Sequence, residues 1–166
     1  MNTRTGGCLC GQVRYSITAE PGPSRICWCR DCQHLAANGT VNVVFPTAAI
    51  EVTGNVARHN KTADSGNQVT RSFCPECGSH LFSDSTGRPG LTVVRVGTLD
   101  APDHLPPDIH IFTASKQPWV VLPPGIPAVE EYYEREGLWP AQSIARRQAV
   151  LPRIQAYRAA AGLDPA

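Results

Sequence analysis

Short stretches in which apolar and polar residues alternate recur along the chain. Val13, Tyr15 and Ile17 are interleaved with Gln12, Arg14, Ser16 and Thr18, the period-two pattern of a half-buried strand, which Pro21-Gly22-Pro23 brings to an end. Residues 41–45 and 50–53 read as two further strands parted by Pro46, and Gly54-Asn55 after them is a hairpin signal. A polar loop at 61–67 leads into a strand at 69–73. Leu81-Phe82 opens another, residues 91–96 form the most apolar run in the chain, and Gly97-Thr98-Leu99-Asp100 turns out of it. Pro102, Pro106 and Pro107 stiffen the connection to a last strand at 109–113.

The rhythm changes near the C-terminus. Residues 129–135 read as short and helical, and after Gly137 the ring of Pro140 suits a first helical position. Ile144, Leu151, Ile154 and Tyr157 lie near one face of a helix broken or kinked around Pro152. The pattern divides the chain into one domain over 1–136 and a helical extension over 137–166 that packs on the domain or on a second subunit, as in a homodimer. Gly and Pro make 29 of 166 residues (14 Gly and 15 Pro), against about one in eight on average, which fits many turns between short strands.

Charge narrows the function. The formal net charge is +1 with both signs mixed, so no global field points to nucleic acid or to an anionic membrane. No apolar run resembles a signal peptide or a membrane span, and a soluble cytoplasmic protein is expected. In such a reducing compartment clustered cysteines are metal-bound or catalytic rather than bridged, and an odd total of seven fits a disulfide framework poorly.

Those cysteines fall into a pattern of four and three. Cys8-Leu9-Cys10 and Cys74-Pro75-Glu76-Cys77 are two close pairs, the first flanked by Gly7 and Gly11, the second followed by Gly78. Joined on one zinc, they would clasp more than sixty residues of chain, and four thiolates leave that ion saturated and inert. Cys27-Trp28-Cys29-Arg30-Asp31-Cys32 offers three thiols within six residues. A catalytic zinc keeps three protein ligands and an open position, so this trio is read as a second, catalytic zinc site. A thiol taking the open position would lose its proton and become the form that attacks a carbonyl carbon. The expected chemistry makes or breaks a carbon–sulfur bond on a small thiol adduct.

Together the motifs resemble the glutathione-dependent formaldehyde-activating enzymes, grouped with the centromere protein V domain. The likeness rests on Gly7-Cys8-Leu9-Cys10-Gly11, on residues 27–32 and on Arg71-Ser72-Phe73-Cys74-Pro75-Glu76-Cys77-Gly78. Gly97-Thr98-Leu99-Asp100, His110-Ile111-Phe112, Trp119 and Gly125-Ile126-Pro127 follow in order, so it runs from about Gly7 to Tyr133. It implies a mainly β fold of small antiparallel sheets organised around zinc. It also implies a structural ion on Cys8, Cys10, Cys74 and Cys77 and a catalytic one on Cys27, Cys29 and Cys32. The implied activity is that of a lyase forming or splitting S-(hydroxymethyl)glutathione from glutathione and formaldehyde. Relatives often carry a basic residue directly after the trio, where this chain has Gln33-His34.

Other readings stand beside this one. The trio could be closed by His34, His59, His80, His104 or His110 into a second structural site. The open zinc could dock glutathione or another thiol without turnover. A zinc-ribbon nucleic-acid module is disfavoured, because the pairs Cys29/Cys32 and Cys74/Cys77 lie more than forty residues apart. His110 reads as a hydrogen-bonded strand histidine, and Asp100 as a turn residue capping amides. Arg71 and Arg30 could grip a substrate carboxylate but read as solvated surface. Trp119 and Phe73 read as core, and Arg146, Arg147, Arg153 and Arg158 as the wet face of the terminal helix.

Overall fold

The structure, a computed structural model, describes residues 3–132 and 141–163. In chain order its elements are β1 (Arg4–Gly7), β2 (Arg14–Ile17), β3 (Ser24–Cys27), α1 (Arg30–Ala36), β4 (Thr40–Pro46), β5 (Ile50–Thr53) and β6 (Ala57–Thr62). They continue with β7 (Gln68–Phe73), β8 (His80–Ser85), β9 (Leu91–Arg95), β10 (Ile109–Ile111) and α2 (Ala141–Ala160). The fold is mainly β, as expected. A three-stranded antiparallel sheet, β1-β2-β5, faces a seven-stranded sheet of order β10-β3-β4-β9-β8-β7-β6. Among the described strands of the larger sheet only the β10–β3 pair is parallel, with Ile111 opposite Cys27.

The alternation read from sequence places the core. Val13, Tyr15 and Ile17 turn inward from the small sheet and meet Val43, Phe45, Leu81, Phe82 and Val94 of the large one. Tyr15 meets Phe82 edge-on at 5.0 Å between ring centres. The Tyr15 hydroxyl keeps a partner at 2.8 Å in Thr98 Oγ1, so the ring is buried without orphaning its polar tip.

Three features depart from the sequence pattern. Gly54 does turn, with φ +92°, and a Cβ there would lie 2.0 Å from the Gln12 carbonyl oxygen. The strands on either side do not form a hairpin, however. β5 pairs with β2 and β6 with β7, so the turn is where the chain changes sheets. β6 itself gives no hydrophobic signal. Ala57-Arg-His-Asn-Lys-Thr62 is an edge strand held by its backbone ladder and by Thr70 Oγ1 donating to Asn60 at 2.8 Å, and its polar side chains keep the sheet edge soluble. The last strand stops at Ile111, because Phe112 takes a left-handed conformation, φ 58°.

Residues 129–132 are not helical. Their backbone is engaged with β10, through Val129 N–H to His110 O at 3.0 Å and Phe112 N–H to Glu131 O at 2.9 Å. The rest of that expected helix, 133–135, lies outside the described residues, as do Gly137 and Pro140. α2 continues through Pro152 and packs on the domain. Its most buried residues are Ser143, Val150 and Ile154; of the expected face Ile154 is buried, Leu151 is half-buried and Tyr157, though partly exposed, lies against Gly90, while Ile144 is exposed. Arg146 is not on a wet face: it pairs with the buried carboxylate of Asp108, which also accepts the Ser24 N–H at 2.9 Å. Arg153 reaches the Thr18 carbonyl at 3.1 Å. Trp119 is 77% exposed rather than core, because the turn closed by Val120 N–H to Gln117 O leaves its side chain outside. Phe73 is half-buried, tilted against His80 at 5.4 Å.

Candidate metal centre

The sulfurs of Cys8, Cys10, Cys74 and Cys77 lie within 4.8 Å of one another, and so do those of Cys27, Cys29 and Cys32. All seven are free thiols. The four-plus-three division read from spacing is therefore the division the fold makes.

The first set is assembled by two turns. Cys8 and Cys10 occupy the turn after β1, closed by Cys8 N–H to Val13 O and Gly11 N–H to Cys8 O. Cys74 and Cys77 occupy the knuckle after β7, where Gly78, φ +71°, lets its N–H return to Cys74 O at 2.9 Å. Leu9 N–H donates to Ser79 Oγ and ties the turns together across 70 residues. The Val13 amide points at Cys8 Sγ from 3.2 Å, and Ser79 Oγ lies 3.2 Å from Cys77 Sγ. The Ser79 hydroxyl and amide pull Cys77 down to about 5. The Gln12 amide lowers Cys10, but the adjoining Cys8 thiol and burial outweigh it and push Cys10 up to about 12. A surface hollow of about 550 Å³ lined by Cys10, Gln12, Gly54, Asn55, Pro75 and Glu76 borders this set rather than the trio.

The trio is built at one strand-to-helix junction. Cys27 ends β3, Cys29 is the extended N-cap of α1 with φ −60° and ψ 154°, and Cys32 sits one turn into the helix. Cys29 Sγ accepts the Cys32 N–H at 3.4 Å, an ordinary cap made by sulfur instead of oxygen. Ile109 and Ile111 cover Cys27 and Cys32, with Phe112 and Val129 at the margin. Hydrogen bonds from Cys27 and Cys29 pull Cys32 down to about 3, aided by the Arg95 guanidinium, while the same bonds and burial push Cys27 up. A cation bound by the trio would expel the protons that its thiols still carry.

The surroundings were only partly foreseen. Arg71 is not surface: it is buried and pairs with Asp31 at 2.8 Å, while Lys61 takes the other oxygen of that carboxylate. Burial alone would raise Asp31, but Lys61 and Arg71 hold it below the usual carboxylate range. Arg30 is exposed, as read. Gln33 is a clamp: its Nε2 donates to Trp28 O and to Ser115 O at 2.7 Å, and its Oε1 accepts from Gln117 at 2.7 Å. His110 is a hydrogen-bonded strand residue, stacked on Trp28, whose Nε1 donates to His110 Nδ1 at 3.1 Å. Burial lowers its pKa and keeps it neutral, with the ring proton on Nε2. Asp100 accepts from the side chains of Thr5 and Arg14 rather than from amides. Buried Arg95, on β9, escaped the sequence reading because it follows an apolar run and carries no motif.

A mainly β domain that gathers its thiols into a four and a three defines a class of cysteine-clustered proteins. The profile of the glutathione-dependent formaldehyde-activating enzyme family matches residues 3–115, more than half of the chain, and the chain belongs to that family. Trp119 and residues 125–127 lie beyond the matched span. Among solved structures, a crystal structure of a Rhodobacter sphaeroides protein is similar at 20% identity and a TM-score of 0.49, covering 58% of this chain and 87% of that one. No curated protein sequence matches the chain. Among the described residues no helix is long and apolar enough to cross a membrane.

Proposed function

We propose that the chain is a zinc-dependent carbon–sulfur lyase of the S-(hydroxymethyl)glutathione synthase type, acting on glutathione and formaldehyde. In this reading Cys27, Cys29 and Cys32 hold the catalytic ion, and Cys8, Cys10, Cys74 and Cys77 a structural one. The observation that carries it is the trio's coordination number: three sulfurs lie within 4.8 Å, and among the described residues no His, Asp or Glu joins them at that distance. Family membership supports the substrate class. The donor set suits zinc, since soft thiolates in close groups of three or four match its tetrahedral preference. Bound there, zinc supplies an open position that lowers the pKa of a thiol or water.

The chain's own residues keep that position in shape. Gln33 pins the Trp28 carbonyl, and Asp31 is tied to β6 and β7 through Lys61 and Arg71, so Cys29 and Cys32 remain converged. Ile109 and Ile111 exclude water from the far side of Cys27. The reaction is redox-neutral: a sulfur–carbon bond forms as the carbonyl π bond opens, and the thiol proton ends on the new hydroxyl. The reverse step returns both reactants.

A second reading, a thiol-binding zinc protein without turnover, is favoured by one feature. The titratable groups beside the trio are committed, Asp31 to two cations and His110 Nδ1 to Trp28. Steady-state assay with glutathione and formaldehyde, the spontaneous reaction subtracted, separates the two. The lyase requires a zinc-dependent rate that Cys29→Ser abolishes, and a rate unmoved by Cys29→Ser leaves the binder. Cobalt substitution tests the shared premise: the cobalt–thiolate spectrum should change on titration with glutathione, and an unchanged spectrum counts against both.

A further inference from the structure

The guanidinium of Arg95 is buried, with 7% of the residue exposed, on a central strand of the larger sheet. Its Nη1 donates to Asn42 Oδ1 and its Nη2 to Ser83 Oγ at 3.4 Å, both neutral groups. Arg95 stands opposite Asn42, and Thr40, two residues away on the same face of β4, lies opposite Cys27 and donates from its Oγ1 to Cys32 O at 3.5 Å, so the guanidinium and the trio share one face of the sheet. Among the described residues no carboxylate pairs with it, although Arg4, Arg14, Lys61, Arg71 and Arg146 each have one. Arginine cannot shed its charge by titration, so a buried guanidinium needs an anion within reach.

We propose that Arg95 is the charge partner of the metal-loaded trio, a positioning residue that acts through Cys32. The inference rests on the reading that the trio holds zinc. Zinc with three thiolates would carry a formal charge of −1, which one guanidinium cancels; Ile109 and Ile111 cover the trio on one side, and the Asp31 carboxylate beside it is already shared by Lys61 and Arg71. Among the described residues the cation nearest the four-cysteine set, Arg14, is paired with Asp100; the sulfurs of that set face amides and the Ser79 hydroxyl, and Cys10 is exposed, so water can bear its larger charge.

The test is zinc affinity, measured by competition against a chromophoric chelator on the full-length protein. Wild type must take up two equivalents, and uptake of only one overturns the two-zinc reading and this inference with it. Given two, Arg95→Met is expected to weaken the second equivalent by about 10- to 100-fold while sparing the first, and Arg95→Lys to recover part of the loss. Equal affinity in all three proteins overturns the inference and leaves the two-zinc reading standing. Parallel weakening at both sites overturns it too, because the residue then merely supports the sheet. Asn42→Asp, which keeps Arg95 but offers it a rival carboxylate, covers the case in which Arg95→Met does not fold. It too should weaken only the second equivalent, and an unchanged second site in that variant counts against the proposal.

Discussion

The two cysteine clusters use one kind of side chain for opposite ends. The four-thiol set joins two pairs whose nearest members, Cys10 and Cys74, are 64 positions apart, and its buried members Cys8 and Cys74 belong to the main core between the sheets. The trio draws on six residues, lies in a separate small cluster with Ile109 and Ile111, and joins no distant parts of the chain. Closing a long loop removes much conformational freedom from the unfolded chain, whereas closing a six-residue one removes little. Sequence separation of ligands thus distinguishes a metal set that holds a fold together from one that the fold holds.

The largest expected effect follows from that contrast. Cys74→Ser opens the four-thiol set at its most buried member, and a structural zinc worth on the order of 10 kcal/mol exceeds much of a domain's stability. Circular dichroism should then show no cooperative melt at room temperature and above. Cys29→Ser should keep a cooperative melt, within several degrees of wild type, while losing one of two zinc equivalents by elemental analysis. Equal damage from both substitutions would erase the distinction.

Next in size is Asp31→Asn, which breaks the ties of α1 to Lys61 and Arg71 and leaves buried Arg71 without its carboxylate. A loss of about 2 kcal/mol is expected by urea denaturation, reduced from the fully buried case because Asp31 is 27% exposed. The folded-state pKa of Asp31 lies below its unfolded value of about 3.9, so its contribution is present above that value and fades as pH falls through the folded pKa. The gap between wild type and Asp31→Asn should therefore close in acid. A gap that persists unchanged at pH 2 would assign the effect to packing.

Tyr15→Phe should cost about 1 kcal/mol for its bond to Thr98. Burial, only partly offset by Thr98, pushes the Tyr15 hydroxyl up to about 12. Its stabilising contribution is thus complete below the unfolded value of about 10 and is lost as pH rises from there toward 12. Unfolding free energies at pH 9 and 11 should show a steeper decline in wild type than in Tyr15→Phe. Smallest of all, Trp119→Ala should change stability by no more than about 0.5 kcal/mol, since the ring is 77% exposed. A larger loss would give the segment beyond β10 a structural role that its exposure does not suggest.

Much of the small sheet, the central strands and both thiol groups could be read from the chain, because each is announced locally. Val13, Tyr15 and Ile17 alternate visibly, and the cysteines stand within one or two residues of their partners. What stayed hidden depends on distant contacts. β6 is polar throughout and exists because β7 offers a ladder. Gly54 signals a turn equally well for a hairpin and for a change of sheet. Arg71 and Arg95 carry the same side chain as Arg30, and only the fold buries two of them and leaves the third in water. The inward face of α2 was legible only in part, because Ser143 and Arg146, both polar, also point toward the domain to meet Asp108 and its neighbours.

The parallel pairing of β3 with β10 also sets a schedule for synthesis. All four thiols of the first set have left the ribosome once Cys77 emerges, but the strand that shields Cys27 arrives only with Ile109–Ile111. At about 5–20 residues per second, the newborn trio waits on the order of ten seconds with its neighbouring strand edge bare and its sulfurs open to peroxide. The nascent chain, rather than the finished one, is the stage at which oxidative damage to these three cysteines would be most easily inflicted.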